Sequence, residues 1–148
     1  MEYNINYDYE YNLKNIYNYI KQYYYSIVPE YWTIYNNCDR SRAFFGMDFY
    51  NKLNNYLVNS KGKKIDIRPF YLLYDHKKMM KLRLQYLITH TKNLQLPEEI
   101  FKYCDLLIEK NEIVVNLMLK YIICFDYSII TNVTCLLKEI YEIEKKKN

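Results

Sequence analysis

The chain has 148 residues, of which 51% are apolar and 26% are charged, and its net charge is +4. This composition excludes an intrinsically disordered chain, and the length predicts a single domain, residues 1–148, that buries a hydrophobic core. Acidic residues lie between the basic clusters along the sequence, as is typical of solvated helix faces. We therefore expect no nucleic-acid partner.

The tyrosine content is high, with 20 such residues in a chain that is also rich in Asn, Lys and Ile. This bias is typical of an AT-rich genome, so the number of tyrosines does not by itself indicate a function. A surface on which nucleic-acid bases stack is the alternative interpretation.

The first residues contain neither the charged nor the apolar region of a secretory signal, and no apolar run approaches the roughly 20 residues that span a bilayer. We therefore expect a cytoplasmic protein that does not insert into membranes, with residues 1–11 flexible or extended and residues 145–148 forming a charged tail. The cysteines should then be free thiols, and because they form no CxxC pair we expect no metal site. They are Cys38, Cys104, Cys124 and Cys135.

The first predicted helix spans residues 12–27, where apolar residues recur at steps of three and four. Its predicted inner stripe consists of Leu13, Ile16, Tyr17, Ile20, Tyr24 and Ile27. This pattern leaves Tyr19 and Tyr23 on another side of the helix. Pro29 interrupts the pattern, and residues 31–35 predict a short second helix or turn.

Asp48 is the predicted N-cap of the next helix, which ends at the turn formed by residues 60–62. The predicted inner stripe of this helix consists of Tyr50, Leu53 and Leu57. Pro69 suits the first position of a further helix, which continues or kinks near residues 75–76. Residues 79–91 are apolar on most sides, so we predict that this segment is the most buried helix of the protein.

Three more helices are predicted, over residues 97–111 with Pro97 at the first position, over 113–125 and over 129–144. The predicted inner residues of the first and last of these are Ile100, Tyr103, Cys104, Leu107, Ile108, Val133, Leu136, Leu137, Ile140 and Tyr141. The whole pattern predicts an all-α protein, with more than about 60% helix and no sheet. Its expected form is a compact bundle of six to seven helices around a central apolar helix.

The sequence does not indicate an enzyme. It contains no nucleophile elbow, phosphate-binding loop, metalloprotease motif or dinucleotide-binding motif. The two histidines, His76 and His90, would lie about 21 Å apart on one straight helix, too far to share a substrate atom. We therefore expect a protein that binds other proteins, is not an enzyme, and needs no cofactor.

The segment around Gly46 and the helices that follow it resemble the poxviral Bcl-2-like immunomodulator family. The residues that carry the resemblance are Asp39, Phe44, Phe45, Gly46, Leu53, Leu57, Gly62, Ile65, Ile67, Phe70 and the helix from Met79. The resemblance implies a Bcl-2-like bundle in which Gly46 ends a helix with a positive φ and the two phenylalanines anchor that helix in the core. One departure is that Lys81 and Arg83 lie in the segment expected to be buried.

The resemblance further implies a non-enzymatic viral protein of the host cytoplasm that blocks innate immune signalling by binding NF-κB or interferon-regulatory pathway adaptors or kinases. One alternative is an inhibitor of apoptosis that binds BH3 helices in a groove. The other is a structural subunit of a larger assembly. No Asn-Trp-Gly-Arg signature precedes the central segment, because the only tryptophan is Trp32. Its absence favours the signalling antagonist.

A homodimer is also possible for such a protein, because the resembled antagonists associate through their first helix and the helix after the central one. In this sequence those helices span residues 12–27 and 97–111. The candidate partner-binding residues on them are Tyr19, Tyr23, Lys102, Tyr103 and Leu107. Exposed tyrosines four residues apart are common interface anchors. The alternative is that these tyrosines only cover the bundle surface.

Overall fold

Five helices make up most of the protein in a computed structural model that describes residues 13–28, 45–60, 64–91 and 94–146. Helices account for 83% of these residues and none of them forms a strand, which confirms the predicted all-α class. The helices are α1 (Leu13–Tyr24), α2 (Asp48–Asn59), α3 (Arg68–His90), α4 (Glu98–Cys124) and α5 (Tyr127–Lys146). The short helix predicted over residues 31–35, Cys38 and Phe44 lie outside the described residues.

Helix α4 is the centre of the bundle, because it packs against both α3 and α5, and α5 in turn packs against α2. Its buried residues recur at steps of three and four along its length. They are Cys104, Leu107, Asn111, Val114, Val115, Met118 and Tyr121. The two helices predicted over residues 97–111 and 113–125 are therefore one continuous helix, since nothing in this stretch interrupts the apolar stripe. Pro97 is its N-cap rather than its first residue.

The prediction that residues 79–91 form the most buried helix is wrong. None of these residues is buried, and Met79, Leu82 and Tyr86 retain 46%, 55% and 44% of their accessible surface. Helix α3 buries only Phe70, Leu73 and Lys77, all in its first half. Lys81 forms an ion pair with Asp105, and Arg83 is exposed, so neither charge is placed in the core.

The stripes predicted for α2 and α5 are confirmed at most positions. Tyr50, Leu53 and Leu57 are all buried on α2. On α5, the buried positions include Val133, Leu137 and Ile140, whereas Leu136 and Tyr141 are half-buried. Asp48 is the first residue of α2, and Met47, whose side chain makes no capping hydrogen bond, is the N-cap. The predicted charged tail is partly helical, since α5 continues through Lys146.

Gly46 occupies the junction between α1 and α2 with a φ of +58°, which confirms the predicted positive φ. A Cβ at this position would lie 1.9 Å from the carbonyl oxygen of Tyr23, near the end of α1. That oxygen accepts a hydrogen bond from the Met47 amide at 3.1 Å, and the Asp48 amide donates to Ser26 Oγ at 2.9 Å. Only glycine permits so close an approach of the two backbone segments.

Candidate functional site

The predicted partner-binding residues do not form one exposed patch. Tyr19 is 54% exposed and Lys102 is exposed beside Glu98, 3.6 Å away. Leu107 is buried in the core, as the stripe predicted, and the half-buried Tyr103 donates from its hydroxyl to the Ile143 carbonyl oxygen at 2.8 Å. Tyr23 packs against the core of the bundle. The helical pattern predicted that it lies outside the inner stripe, so this prediction is wrong.

A buried polar cluster explains the position of Tyr23. The cluster consists of Tyr23, Tyr50, Lys77 and Glu144, one residue each from α1, α2, α3 and α5. The Lys77 ammonium lies 2.5 Å from Glu144 Oε1, and their side chains are only 1% and 6% exposed. Lys77 also donates to the Tyr23 hydroxyl at 2.7 Å.

Both carboxylate oxygens of Glu144 accept hydrogen bonds from tyrosines of the cluster. Tyr23 donates to Oε1 at 3.1 Å and Tyr50 donates to Oε2 at 2.7 Å. The Lys77 ammonium lies 5.0 Å from the centroid of the Tyr23 ring and 5.5 Å from that of the Tyr50 ring, which adds cation–π attraction. The cluster therefore satisfies its buried charges by direct pairing, as buried ionic groups require.

Burial dominates the electrostatics of this cluster. Burial lowers the pKa of Lys77, and the adjacent Glu144 carboxylate opposes that shift. Burial, followed by the negative charge of Glu144, raises the pKa values of Tyr23 and Tyr50 well above the ordinary tyrosine value. Both tyrosines are therefore neutral hydrogen-bond donors at physiological pH.

His76 adjoins the cluster, with its ring centroid 5.2 Å from that of Tyr23. Burial, followed by the charge of Lys77, lowers the pKa of His76 to about 4, so its imidazole is neutral near pH 7. The second histidine, His90, stacks on Tyr86 in the last turn of the same uninterrupted helix. The structure therefore does not bring the two histidines together.

The sequence contains a signal for this cluster at charged positions within two apolar stripes. Lys77 follows Phe70 and Leu73 at steps of three and four, so it continues a buried stripe of α3. Glu144 follows Leu137 and Ile140 on α5 in the same way. A charged residue at an inner position needs a partner of opposite charge.

The cluster can join helices but is poorly suited to chemistry on a substrate. Lys77 and Glu144 are almost completely covered by protein, and each is already occupied by the other. A nearby cavity of about 330 Å³ is lined by residues that include Tyr24, Tyr25, Asp48, Tyr141 and Lys145. The Lys145 ammonium already lies 5.4 Å from the Tyr141 ring centroid in this cavity. The geometry thus supports a role of the cluster in fixing the bundle.

Within residues 13–28, 45–60, 64–91 and 94–146, no group of three or more His, Cys, Asp or Glu side chains is arranged to hold a metal ion. Three cysteines in this part of the chain, Cys104, Cys124 and Cys135, are free thiols. Burial raises the pKa of the Cys104 thiol, whereas Cys124 and Cys135 are exposed. None of the described helices combines the length and the apolar character needed to cross a bilayer.

Exposed apolar side chains lie on several of the described helices, including α1, α3 and α4. On α1, which has no buried residue, Leu13, Tyr17 and Ile20 are 46%, 64% and 50% exposed. The predicted inner stripe of α1 is therefore wrong at these positions, because the helix contacts the bundle through its last turn instead. On α3, the exposed apolar side chains of Leu72, Met79, Leu82 and Tyr86 lie on the face opposite to the buried residues of the helix.

Comparisons of the chain with protein-family models, with curated proteins and with solved structures find no match.

Proposed function

We propose that the chain is a non-enzymatic protein-binding module whose contact surface is the exposed apolar stripe of α1, defined by Leu13, Tyr17 and Ile20. The observation that carries the proposal is the exposure of this stripe on an otherwise strongly amphipathic helix. These residues lie at steps of four and three, so they form one continuous ridge. A ridge of this kind suits the groove or helix face of a partner protein.

The rigid attachment of α1 supports its use as a binding element. Tyr23 is held in the buried polar cluster, and the Met47 amide donates to the Tyr23 carbonyl oxygen. The last turn of α1 is therefore fixed while the earlier turns present the ridge. Fixing a helix before it binds lowers the entropic cost of association.

The charge of α1 indicates the chemistry of the partner surface. Its sequence, LKNIYNYIKQYY, contains Lys14 and Lys21 and no acidic residue. Both lysines are exposed and lie toward one flank of the ridge. The partner should therefore combine an apolar contact surface with an acidic rim.

The proposed partner class is a host innate immune signalling protein, an adaptor or kinase of the NF-κB or interferon-regulatory pathways, bound in the host cytoplasm. This part of the proposal is supported by the resemblance of the Gly46 segment to the poxviral Bcl-2-like immunomodulators. In that interpretation the bundle is Bcl-2-like, with α4 as its central helix in place of the segment from Met79. Binding would sequester the host protein and block signalling.

The test compares two exposed tyrosines of the same helix. In cells carrying NF-κB and interferon-regulatory reporters, the wild type should suppress stimulated signalling, and the Tyr17→Glu/Ile20→Glu variant should not. Tyr19→Glu is the matched control, because Tyr19 is similarly exposed but lies on another side of α1. Circular dichroism should show that all three proteins are folded.

Purified pathway components then provide the direct measurement. Calorimetry should show at least a tenfold loss of affinity for the double variant, a loss of about 1.4 kcal/mol that is modest for two interface anchors. Loss of suppression in Tyr19→Glu but not in the double variant would move the site to the other side of α1. Binding of BH3 peptides with micromolar or tighter affinity, without reporter suppression, would replace the proposal by inhibition of apoptosis.

A further inference from the structure

The outer face of α3 carries an apolar stripe that the proposed function does not use. We call Leu72, Met79, Leu82 and Tyr86 the α3 outer stripe, and these side chains are 66%, 46%, 55% and 44% exposed. They lie on the side of α3 opposite to the buried Phe70 and Leu73. With a rise of 1.5 Å per residue, the stripe is about 21 Å long.

The residues along this face are arranged symmetrically about Met79. Leu72 and Tyr86 lie seven residues before and after Met79, and Asp75 and Arg83 lie four residues before and after it. An antiparallel helix with the same sequence therefore presents a complementary residue at three of these levels, whereas Leu82 comes level with the half-buried His76. Leu72 meets Tyr86, Met79 meets Met79, and Asp75 comes level with Arg83.

We propose that the α3 outer stripe is a self-association surface, on which two copies of the chain pair through antiparallel α3 helices about a two-fold axis at Met79. A two-fold interface uses the same patch on both copies, so each contact away from the axis occurs twice and the Met79–Met79 contact on the axis occurs once. Along the interface, the two Asp75–Arg83 pairs lie between the central Met79–Met79 contact and the outer Leu72–Tyr86 contacts.

Charge disfavours the parallel arrangement and favours the antiparallel one. In a parallel pair, Asp75 would face Asp75 and Arg83 would face Arg83, and both contacts are repulsive. Neither Asp75 nor Arg83 forms an ion pair with any residue in the described part of the chain. Both side chains are exposed, so their charges are available to a second copy.

The size of the surface sets the expected strength of the dimer. The interface would be formed by one helix face that is about 21 Å long. The area that such a face can bury is smaller than the ~800 Å² per partner of a standard interface. We therefore expect association in the micromolar range, with monomers and dimers in rapid exchange, rather than an obligate dimer.

Sedimentation equilibrium over a range of protein concentrations tests the proposal. The wild type should show a monomer–dimer equilibrium, and Met79→Glu should remain a monomer because it places two carboxylates together on the axis. Ile123→Glu is the control, since it makes the same kind of change at a side chain that is 83% exposed at the end of α4. This variant should associate like the wild type.

A charge exchange tests the antiparallel register. Asp75→Arg should weaken the dimer at least tenfold, because it places arginines level with each other at both of the positions where Asp75 and Arg83 pair in the wild type. The double variant Asp75→Arg/Arg83→Asp should restore the wild-type affinity to within about threefold, since it rebuilds both pairs in reverse. A wild type that is monomeric at all concentrations, a persistent Met79→Glu dimer, or a failure of the double variant to recover would each overturn the proposal.

Discussion

Removal of one charge from the buried polar cluster should destabilise the protein strongly. In Lys77→Met the Glu144 carboxylate, whose side chain is 6% exposed, loses the ammonium 2.5 Å away. Breaking a buried pair in this way costs about 3–5 kcal/mol. Two tyrosine hydroxyls still donate to the carboxylate, so we expect a value near the lower limit, about 3 kcal/mol.

Urea unfolding followed by circular dichroism measures this loss. With a typical denaturant slope of about 1–3 kcal/mol per molar, the midpoint should fall by about 1–3 M. Lys110→Met is the matched control, because Lys110 pairs with Glu139 at 2.8 Å where the two side chains are 19% and 52% exposed. An exposed pair contributes at most about 1 kcal/mol, so the control midpoint should move much less.

The double variant Lys77→Met/Glu144→Gln separates charge pairing from the other contacts of these residues. Gln keeps a carbonyl oxygen that can accept from Tyr23 and Tyr50, and the double variant leaves no unpaired buried charge. It should therefore be more stable than either single variant. The reasoning would be refuted by a Lys77→Met loss below about 1 kcal/mol, or by costs of the two single variants that simply add.

Two further predictions concern residues that adjoin the cluster. Gly46→Ala should cost at least about 2 kcal/mol, because a left-handed φ is unfavourable for alanine and its Cβ would lie 1.9 Å from the Tyr23 carbonyl oxygen; a midpoint of urea unfolding equal to that of the wild type would contradict this. The pKa of His76 is lowered to about 4 in the folded state. Between about pH 4 and pH 6.5 the unfolded state therefore binds more protons at His76 than the folded state does. The contribution of His76 to stability is lost as the pH falls through that window. The free energy of unfolding should therefore decline more between pH 7 and pH 5 in the wild type than in His76→Gln, and equal declines would contradict the prediction.

The sequence was sufficient to predict helices whose apolar residues are confined to one side. Leu53 and Leu57 on α2, and Leu137 and Ile140 on α5, are buried as their spacing indicated. The positive φ of Gly46 was also expected, because the resemblance places this glycine at the end of a helix.

Segments that are apolar on several sides were harder to interpret. The pattern of residues 79–91 allows several faces to be buried, and only the position of α4 decides that Met79 and Leu82 remain exposed. The opposite error occurred on α1, where the exposed Tyr17 was assigned to the core and the inward Tyr23 was not. When a short amphipathic helix is attached at one end, its periodicity does not indicate which of its turns contacts the bundle.

The pairing of Lys77 with Glu144 could not be derived from local sequence. The two residues are 67 positions apart, and their contact depends on how α3 and α5 pack around the bundle. Spacing identifies each as a charged residue on an apolar stripe, but it does not identify the partner. Tyr23 and Tyr50 enter the cluster from two further helices, so the site exists only after four elements have assembled.

The separation of the paired charges also bears on how the protein is made. Glu144 lies 67 residues after Lys77 in the chain. At synthesis rates of about 5–20 residues per second, it is therefore added about 3 to 13 s after Lys77. During this interval the lysine has no carboxylate to neutralise it, so α2, α3 and α4 cannot close around its ammonium without a large desolvation cost. The nascent chain should therefore hold this part of the core open to water until α5 arrives, and chaperones that recognise exposed apolar helices have several seconds in which to bind it.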